Sequence, residues 1–361
     1  MSDLQLSLLV IGAVVVGAVY LYNWLQERSY RRRMQQAFGA AHDDVLLKAG
    51  VESALTDGRL EPQLVPPAPV REEGKRPAAA RPGSDADSAN HIDAVLDYVA
   101  EIDADAPIAD AVIGELTSRI ASSGKPVHVA GLDAQTGAWE DTVRGRVGRF
   151  RRLRLSLQLV NRAGAVNSAQ LATFCDAVKS CADKIPAPAT CPDMQSALKQ
   201  AREIDAFCAD VDVAVGFNVV AAEGSSFPGT RIRAAAEAAG FKLEPDGVFH
   251  YRNEQRQTLF TLDNHEPAPF LPESIKGLTT RGVTLLMDVP RVASGAVVMD
   301  RMLEVAHSLA AALGGSLVDD NRAALSETGI ARIKEQVRTI HAKMDLRGIP
   351  AGSPRALRLF S

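Results

Sequence analysis

The sequence predicts an α+β protein in which antiparallel strands form a sheet with helices on one face. That arrangement runs twice in tandem, behind an N-terminal transmembrane helix and a proline-rich linker. Three observations carry this reading. An uncharged apolar run opens the chain, segments of apolar and polar alternation recur after residue 91, and segments of helical period follow them in the same order twice.

The opening run, Leu4 to Leu25, spans 22 residues interrupted only by Gln5, Ser7 and Asn23. At the helical rise it reaches about 33 Å, enough to cross a hydrocarbon layer of about 30 Å. Tyr20, Tyr22 and Trp24 sit at its far end, where amphipathic rings favour the headgroup level, and Arg28, Arg31, Arg32 and Arg33 follow. A cleaved signal would carry its positive charge before the run and small residues after it, and the only early charge here is Asp3. The expectation is a single-pass anchor over 1–27, N-terminus outside, with everything after Arg28 on the cytoplasmic side.

Residues 28–90 read as a basic juxtamembrane segment and a linker. Pro62, Pro66, Pro67, Pro69, Pro77 and Pro82 punctuate a stretch with no aromatic residue between Glu61 and Ala89. Such a composition buries too little surface to offset its ordering entropy, and it stays semi-extended. The remainder divides into 91–208, 209–346 and a loose tail over 347–361 that contains Pro350, Gly352 and Pro354.

In the second of these regions Val211, Val213, Val215, Phe217 and Val219 alternate with Asp212, Ala214, Gly216 and Asn218. Val283, Leu285, Met287 and Val289 alternate likewise with Thr284, Leu286 and Asp288. Each strand therefore has one strongly apolar face and one of small or mildly polar residues. Helices are predicted from Pro228 to Ala239, stopped by Gly240, from Val297 to Leu313, stopped by Gly314-Gly315, and from Glu327 to Leu346 with Ile330, Ile333, Val337, Ile340 and Met344 on one stripe. In the first region, strands at Val95–Ile102, Val127–Leu132 and Leu153–Val160 alternate with helices at Ile108–Ser123, Ser168–Ile185 and Cys191–Phe207. Helices on one face leave the other sheet face toward solvent.

Composition excludes several functions. The formal charge of −4, from 40 basic and 44 acidic residues, gives no global basic field for nucleic acid. The four cysteines, Cys175, Cys181, Cys191 and Cys208, form no C-x-x-C pair and are too few for a disulfide framework, and they read as reduced thiols.

Five strings in the second region arrive in order: Asn218-Val-Val-Ala-Ala-Glu-Gly-Ser-Ser-Phe-Pro-Gly229, Ala239-Gly-Phe241, Leu259-Phe-Thr-Leu262, Thr279-Thr-Arg-Gly-Val-Thr-Leu-Leu-Met-Asp-Val-Pro290 and Leu313-Gly-Gly-Ser-Leu-Val-Asp-Asp-Asn-Arg322. Together they resemble the C-terminal FtsZ-binding domain of the ZipA family of bacterial cell-division proteins. The anchor, basic patch and proline-rich tether follow the layout of that family. The resemblance implies a split β-α-β fold for 209–346, and the repeated order of elements makes 91–208 a degenerate domain of the same kind. It implies localisation to the bacterial inner membrane at the division site, with FtsZ and membrane lipids as partners and with no cofactor, metal, nucleic acid or small-molecule substrate. It also implies a shallow groove for the FtsZ C-terminal peptide on the open sheet face. Matched position by position, the groove falls on Ala214, Gly216, Asn218, Asp246, Asp263, His265, Thr284 and Leu286. These are smaller and more polar than the aliphatic, Met and Phe lining of the family. The tether is also short for the family, and 91–208 has no counterpart in its best-known members.

Other signals have plainer readings. Arg144, Arg146, Arg149, Arg151, Arg152 and Arg154 suit either an anionic surface or a solvated hairpin packed through Leu153, Leu155, Leu157 and Leu159. Ser123-Gly-Lys125 lacks the upstream glycine of a phosphate loop, and the hydrolase, zinc-protease and dinucleotide motifs are missing. Ser225, Ser226 and His250 read as a polar turn and a strand histidine rather than a nucleophile and base. Asp319 or Asp320 ends a strand and caps a turn. The expected function is a non-enzymatic tether holding FtsZ polymers at the membrane. The alternative is a membrane-anchored scaffold of the division or envelope machinery whose groove has lapsed.

Overall fold

The computed structural model of the chain describes residues 92–133, 136–142, 150–185, 187–319 and 322–361. The apolar run from Leu4 to Leu25, the arginines after it and the linker lie outside the described residues. Among the described residues, no helix is long and apolar enough to cross a membrane.

The architecture mixes helices with antiparallel sheets. From the amino side, β1 (Asp97–Asp103) is followed by α1 (Asp110–Ala121), β2 (Val127–Asp133), β3 (Trp139–Asp141) and β4 (Phe150–Gln158). A small hairpin, β5 (Val160–Asn161) and β6 (Gly164–Ala165), leads to α2 (Ser168–Lys184), β7 (Ala189–Thr190) and α3 (Met194–Val211). The first sheet has the order β3-β2-β4-β1-β7. Its core face carries Tyr98, Ala100, Ile102, Leu153, Leu155 and Leu157, all buried. On its other face, Arg154 reaches Glu101 at 2.7 Å and lies over the Trp139 ring, and Arg152 pairs with Asp103 at 3.2 Å. These arginines therefore pair along their own sheet while the leucines pack; Arg144, Arg146 and Arg149 lie outside the described residues.

The second sheet is built from β8 (Ala214–Val220), β10 (Lys242–Leu243), β11 (Phe249–Arg252), β12 (Thr258–Asn264), β14 (Gly282–Asp288) and β15 (Ser316–Val318), in the order β10-β11-β12-β14-β8-β15. A side ladder pairs β9 (Phe227–Pro228) with β13 (Thr279–Thr280). The helices are α4 (Gly229–Ala238), α5 (Gly295–Leu313), α6 (Glu327–Leu346) and α7 (Pro354–Leu359). Val215, Phe217, Val219, Val283, Leu285, Met287, Phe260 and Leu262 are buried together with the apolar stripes of these helices.

Two of the motif strings owe their glycines to close packing. A Cβ on Gly229 would run into the backbone carbonyl of Ile275. Gly314 ends α5 in the left-handed region at φ +69°, and a Cβ on Gly315 would lie 2.7 Å from Phe227 Cζ.

The sheets share a sequence of parts. The order β2-β4-β1-β7 corresponds to β12-β14-β8-β15, with α1, α2 and α3 placed in the chain as α4, α5 and α6 are. They differ at the outer strand, since β3 follows β2 whereas β11 precedes β12.

Local pattern misjudges some boundaries. Val211 closes α3 rather than opening a strand, because it continues the buried stripe of Ala197, Ala201 and Ile204. That helix starts at Met194, where Asp193 caps it by accepting the Ser196 N–H at 2.7 Å. The segment after Ile349 is not a loose tail. Ser353 caps α7 with Pro354 in its first turn, and Ile349, Ala356, Leu359 and Phe360 are buried. Arg355 pairs with Asp93 and Arg358 with Asp97, each at 2.5 Å, so the end of the chain is fastened to its first described strand.

Candidate functional site

The face of the second sheet opposite the core is built by register. Asn218 lies opposite Thr284, Gly216 opposite Leu286 and Ala214 opposite Asp288. On the other side of β14, Asp263 faces Thr284 and Thr261 faces Leu286. Since alternate residues share a face, Ala214, Gly216, Asn218, Thr284, Leu286 and Asp263 form one contiguous surface. Leu286 is half-buried there, while its neighbour Leu285 is fully buried on the core side.

Hydrogen bonds fix this surface. The Thr284 hydroxyl donates to Asn218 Oδ1 at 2.7 Å, and His265 Nδ1 lies 3.4 Å from the same hydroxyl. Asp246, in the turn before β11, accepts the Val248 N–H and contacts His250 Nε2 at 2.9 Å. Burial holds the Asp263 carboxyl above its ordinary range, and the charge of Asp246 adds to the effect. The eight residues expected from sequence thus share one region, with the small side chains in the middle and acids toward β11.

Three further residues belong with them. Thr261 follows from counting back two from Asp263, and Asp288 from counting on two from Leu286. Arg162 could not be read locally. It comes from the β5–β6 hairpin, 126 residues before Asp288, and its guanidinium lies 2.7 Å from Asp288 and 2.8 Å from Asp212. Burial nonetheless keeps the Asp288 carboxyl above its ordinary value.

Glu244, Asp246 and His250 bring potential ligand atoms within 4.8 Å of one another. Arg252 supplies a positive charge there, pairing with Glu244 at 2.7 Å. Both ring nitrogens of His250 are engaged, by Asp246 and by Thr258, rather than by Ser225 or Ser226. Asp319 accepts the Ala323 N–H just past β15, in the turn-capping role read from its position.

A sheet face that sets half-buried Leu286 among small and polar side chains, with Asp263 and His265 exposed beside it, is suited to an extended peptide. Residues 213–336 match the family described as "ZipA, C-terminal FtsZ-binding domain". The match takes in 124 of the chain's 361 residues. Among the relatives of the ZipA-type domain is cell division protein ZipA of Marinobacter nauticus, 29% identical over 131 residues, which are 35% of this chain and 38% of that protein. ZipA of Shewanella loihica is 33% identical over 114 residues, covering 30% of this chain and 34% of the relative. For ZipA of Shewanella sediminis the values are 30% over 163 residues, 43% and 48%. The chain thus spans less than half the length of these relatives.

Proposed function

We propose that this chain is a non-enzymatic inner-membrane anchor that tethers FtsZ polymers to the cytoplasmic membrane during cell division. In this reading the C-terminal peptide of FtsZ lies on the open face of the second sheet, across Gly216, Asn218, Thr284 and Leu286. The observation that carries it is the coincidence of a ZipA-type C-terminal domain with a sheet face whose register gathers the matched positions. Leu4–Leu25 supplies the membrane span and the proline-rich stretch the tether, with the sheets cytoplasmic. The common order of strands and helices supports reading 91–208 as a second, degenerate copy of a split β-α-β domain.

Small side chains on this face bury little peptide surface, at about 1.5–3 kcal/mol for each large apolar group missing. Single contacts are therefore weak, with Kd of about micromolar or above. Polymers offer many peptides to many anchored molecules, and effective concentration converts weak contacts into attachment.

The same polar lining favours one other reading, a membrane-anchored scaffold whose groove has lapsed and whose first half meets another division or envelope protein. Titrating residues 89–361 with a labelled C-terminal FtsZ peptide from the same organism separates the two. Saturable binding that Leu286→Glu removes supports the tether. No binding up to about millimolar peptide sinks it and leaves the scaffold.

A further inference from the structure

Three side chains meet where α2 passes the connection between β7 and α3. Cys175, buried on α2, lies 3.2 Å through its Sγ from the hydroxyl of Tyr98 on β1. That hydroxyl donates to the Pro192 carbonyl at 2.6 Å, next to Cys191. Cys191 adjoins both the Cys175 thiol and the Tyr98 hydroxyl. Cys191 is half-buried, and all four cysteines of the chain are free.

We propose that Cys175 and Cys191 form an oxidisable dithiol that reacts with a small hydroperoxide and closes to a disulfide across the α2–β7 connection. The Tyr98 hydroxyl that touches Cys175 Sγ also reaches the residue after Cys191, so one phenol draws the two cysteines together although 15 residues separate them in the chain. The Cys191 thiol donates toward Cys175, which outweighs burial and draws the Cys175 thiol down to about 6. The Cys191 thiol, as the donor, is raised and keeps its proton. Cys175 is therefore the nucleophile and Cys191 the resolving group. Its low exposure, 4%, favours a reagent of few atoms over a bulky disulfide.

The chemistry balances in two steps. The Cys175 thiolate attacks one peroxide oxygen, the O–O bond breaks, and the departing hydroxide takes up the displaced proton as water, leaving a sulfenic acid. Cys191 Sγ then attacks that sulfur, the S–O bond breaks, and a second water leaves with the Cys191 proton. Two thiols and one peroxide give one disulfide and two waters. Cys181 and Cys208 make poorer nucleophiles, since burial raises both thiols, that of Cys208 to about 12.

The test uses the purified full-length chain, treated with hydrogen peroxide, blocked with N-ethylmaleimide, digested and read by mass spectrometry. A linked pair of peptides holding Cys175 and Cys191 is expected, with Cys181 and Cys208 alkylated and the link reversed by dithiothreitol. Loss of the free thiol should be about tenfold faster at Cys175 than at Cys208. In Cys191→Ser, dimedone should trap a sulfenic acid at Cys175 and no link should form. Full alkylation of Cys175 and Cys191 after treatment, a link to a different cysteine, or equal rates at Cys175 and Cys208 would each overturn the proposal. The unsubstituted protein decides it even if the variant misfolds.

Discussion

Arg162 holds the Asp288 carboxylate at 2.7 Å, joining a hairpin of the first half to the last residue of the strand that carries Leu286. The same guanidinium also bonds Asp212, where α3 hands over to the second sheet. Less than a third of each of the three side chains is exposed, so little water is available to replace a lost partner.

Arg162→Ala should therefore destabilise residues 89–361 by about 2–4 kcal/mol in urea denaturation, since it leaves two partly buried carboxylates facing each other. Adding Asp288→Asn should recover part of that loss, because the neutral amide has less to lose from burial. Additive losses in the double variant would show that the two residues are not energetically coupled.

Leu285 and Leu286 are neighbours with opposite fates. Leu285 is fully buried, and Leu285→Ala should cost about 2–5 kcal/mol. Leu286 sits on the open face, and Leu286→Ala should cost less than about 1.5 kcal/mol while lowering affinity for an FtsZ C-terminal peptide. Paired unfolding and binding titrations check both. A large stability loss at Leu286 would mean that this face is covered in the folded protein.

That contrast was legible in the sequence, because alternation along Gly282–Asp288 sorts its side chains between two faces without knowledge of their neighbours. The helix Glu327–Leu346 was legible for the same reason, its apolar residues recurring at helical spacing. Pairing partners distant in the chain were not. Arg162 looks like any loop arginine until Asp288 is placed beside it. Pro350, Gly352 and Pro354 signal a break in regular structure, and they say nothing of Asp93 and Asp97 waiting more than 250 residues earlier. The short β3 also escapes periodicity, because such a segment is too brief to show one.

Gly315→Ala probes the packing behind the Leu-Gly-Gly string. An added Cβ would lie 2.7 Å from Phe227 Cζ and 2.8 Å from the Val220 carbonyl, and the backbone atom cannot rotate away. A loss of about 1–3 kcal/mol is expected by thermal or urea unfolding. Shortening the ring with Phe227→Leu in the same chain should relieve only the aromatic contact, so rescue should be partial. Complete rescue would mean that the carbonyl contact is unimportant.

Arg358 and Asp97 give a prediction in pH. The Asp97 side chain is fully buried and its carboxyl sits above the ordinary value of 3.8, because burial outweighs the hydrogen bond and charge of Arg358. An acid raised in the folded state holds a proton that the unfolded chain has released, so its contribution to stability falls as pH climbs from the ordinary value through the raised one. Arg358→Ala removes the contacts that hold Asp97 down and raises it further. The variant should lose about 3–5 kcal/mol near neutral pH, where Asp97 must be either a buried unpaired anion or protonated at a cost. That deficit should shrink as pH is lowered toward about 4, where the unfolded chain also binds the proton. Adding Asp97→Asn should restore part of the loss at neutral pH and flatten the pH dependence. Urea titrations of the variants across this range check the sign. A deficit that stays constant with pH would assign the role of Arg358 to its other contacts, including the bond its guanidinium donates to Gln158 Oε1 at 3.4 Å, and not to the charge on Asp97.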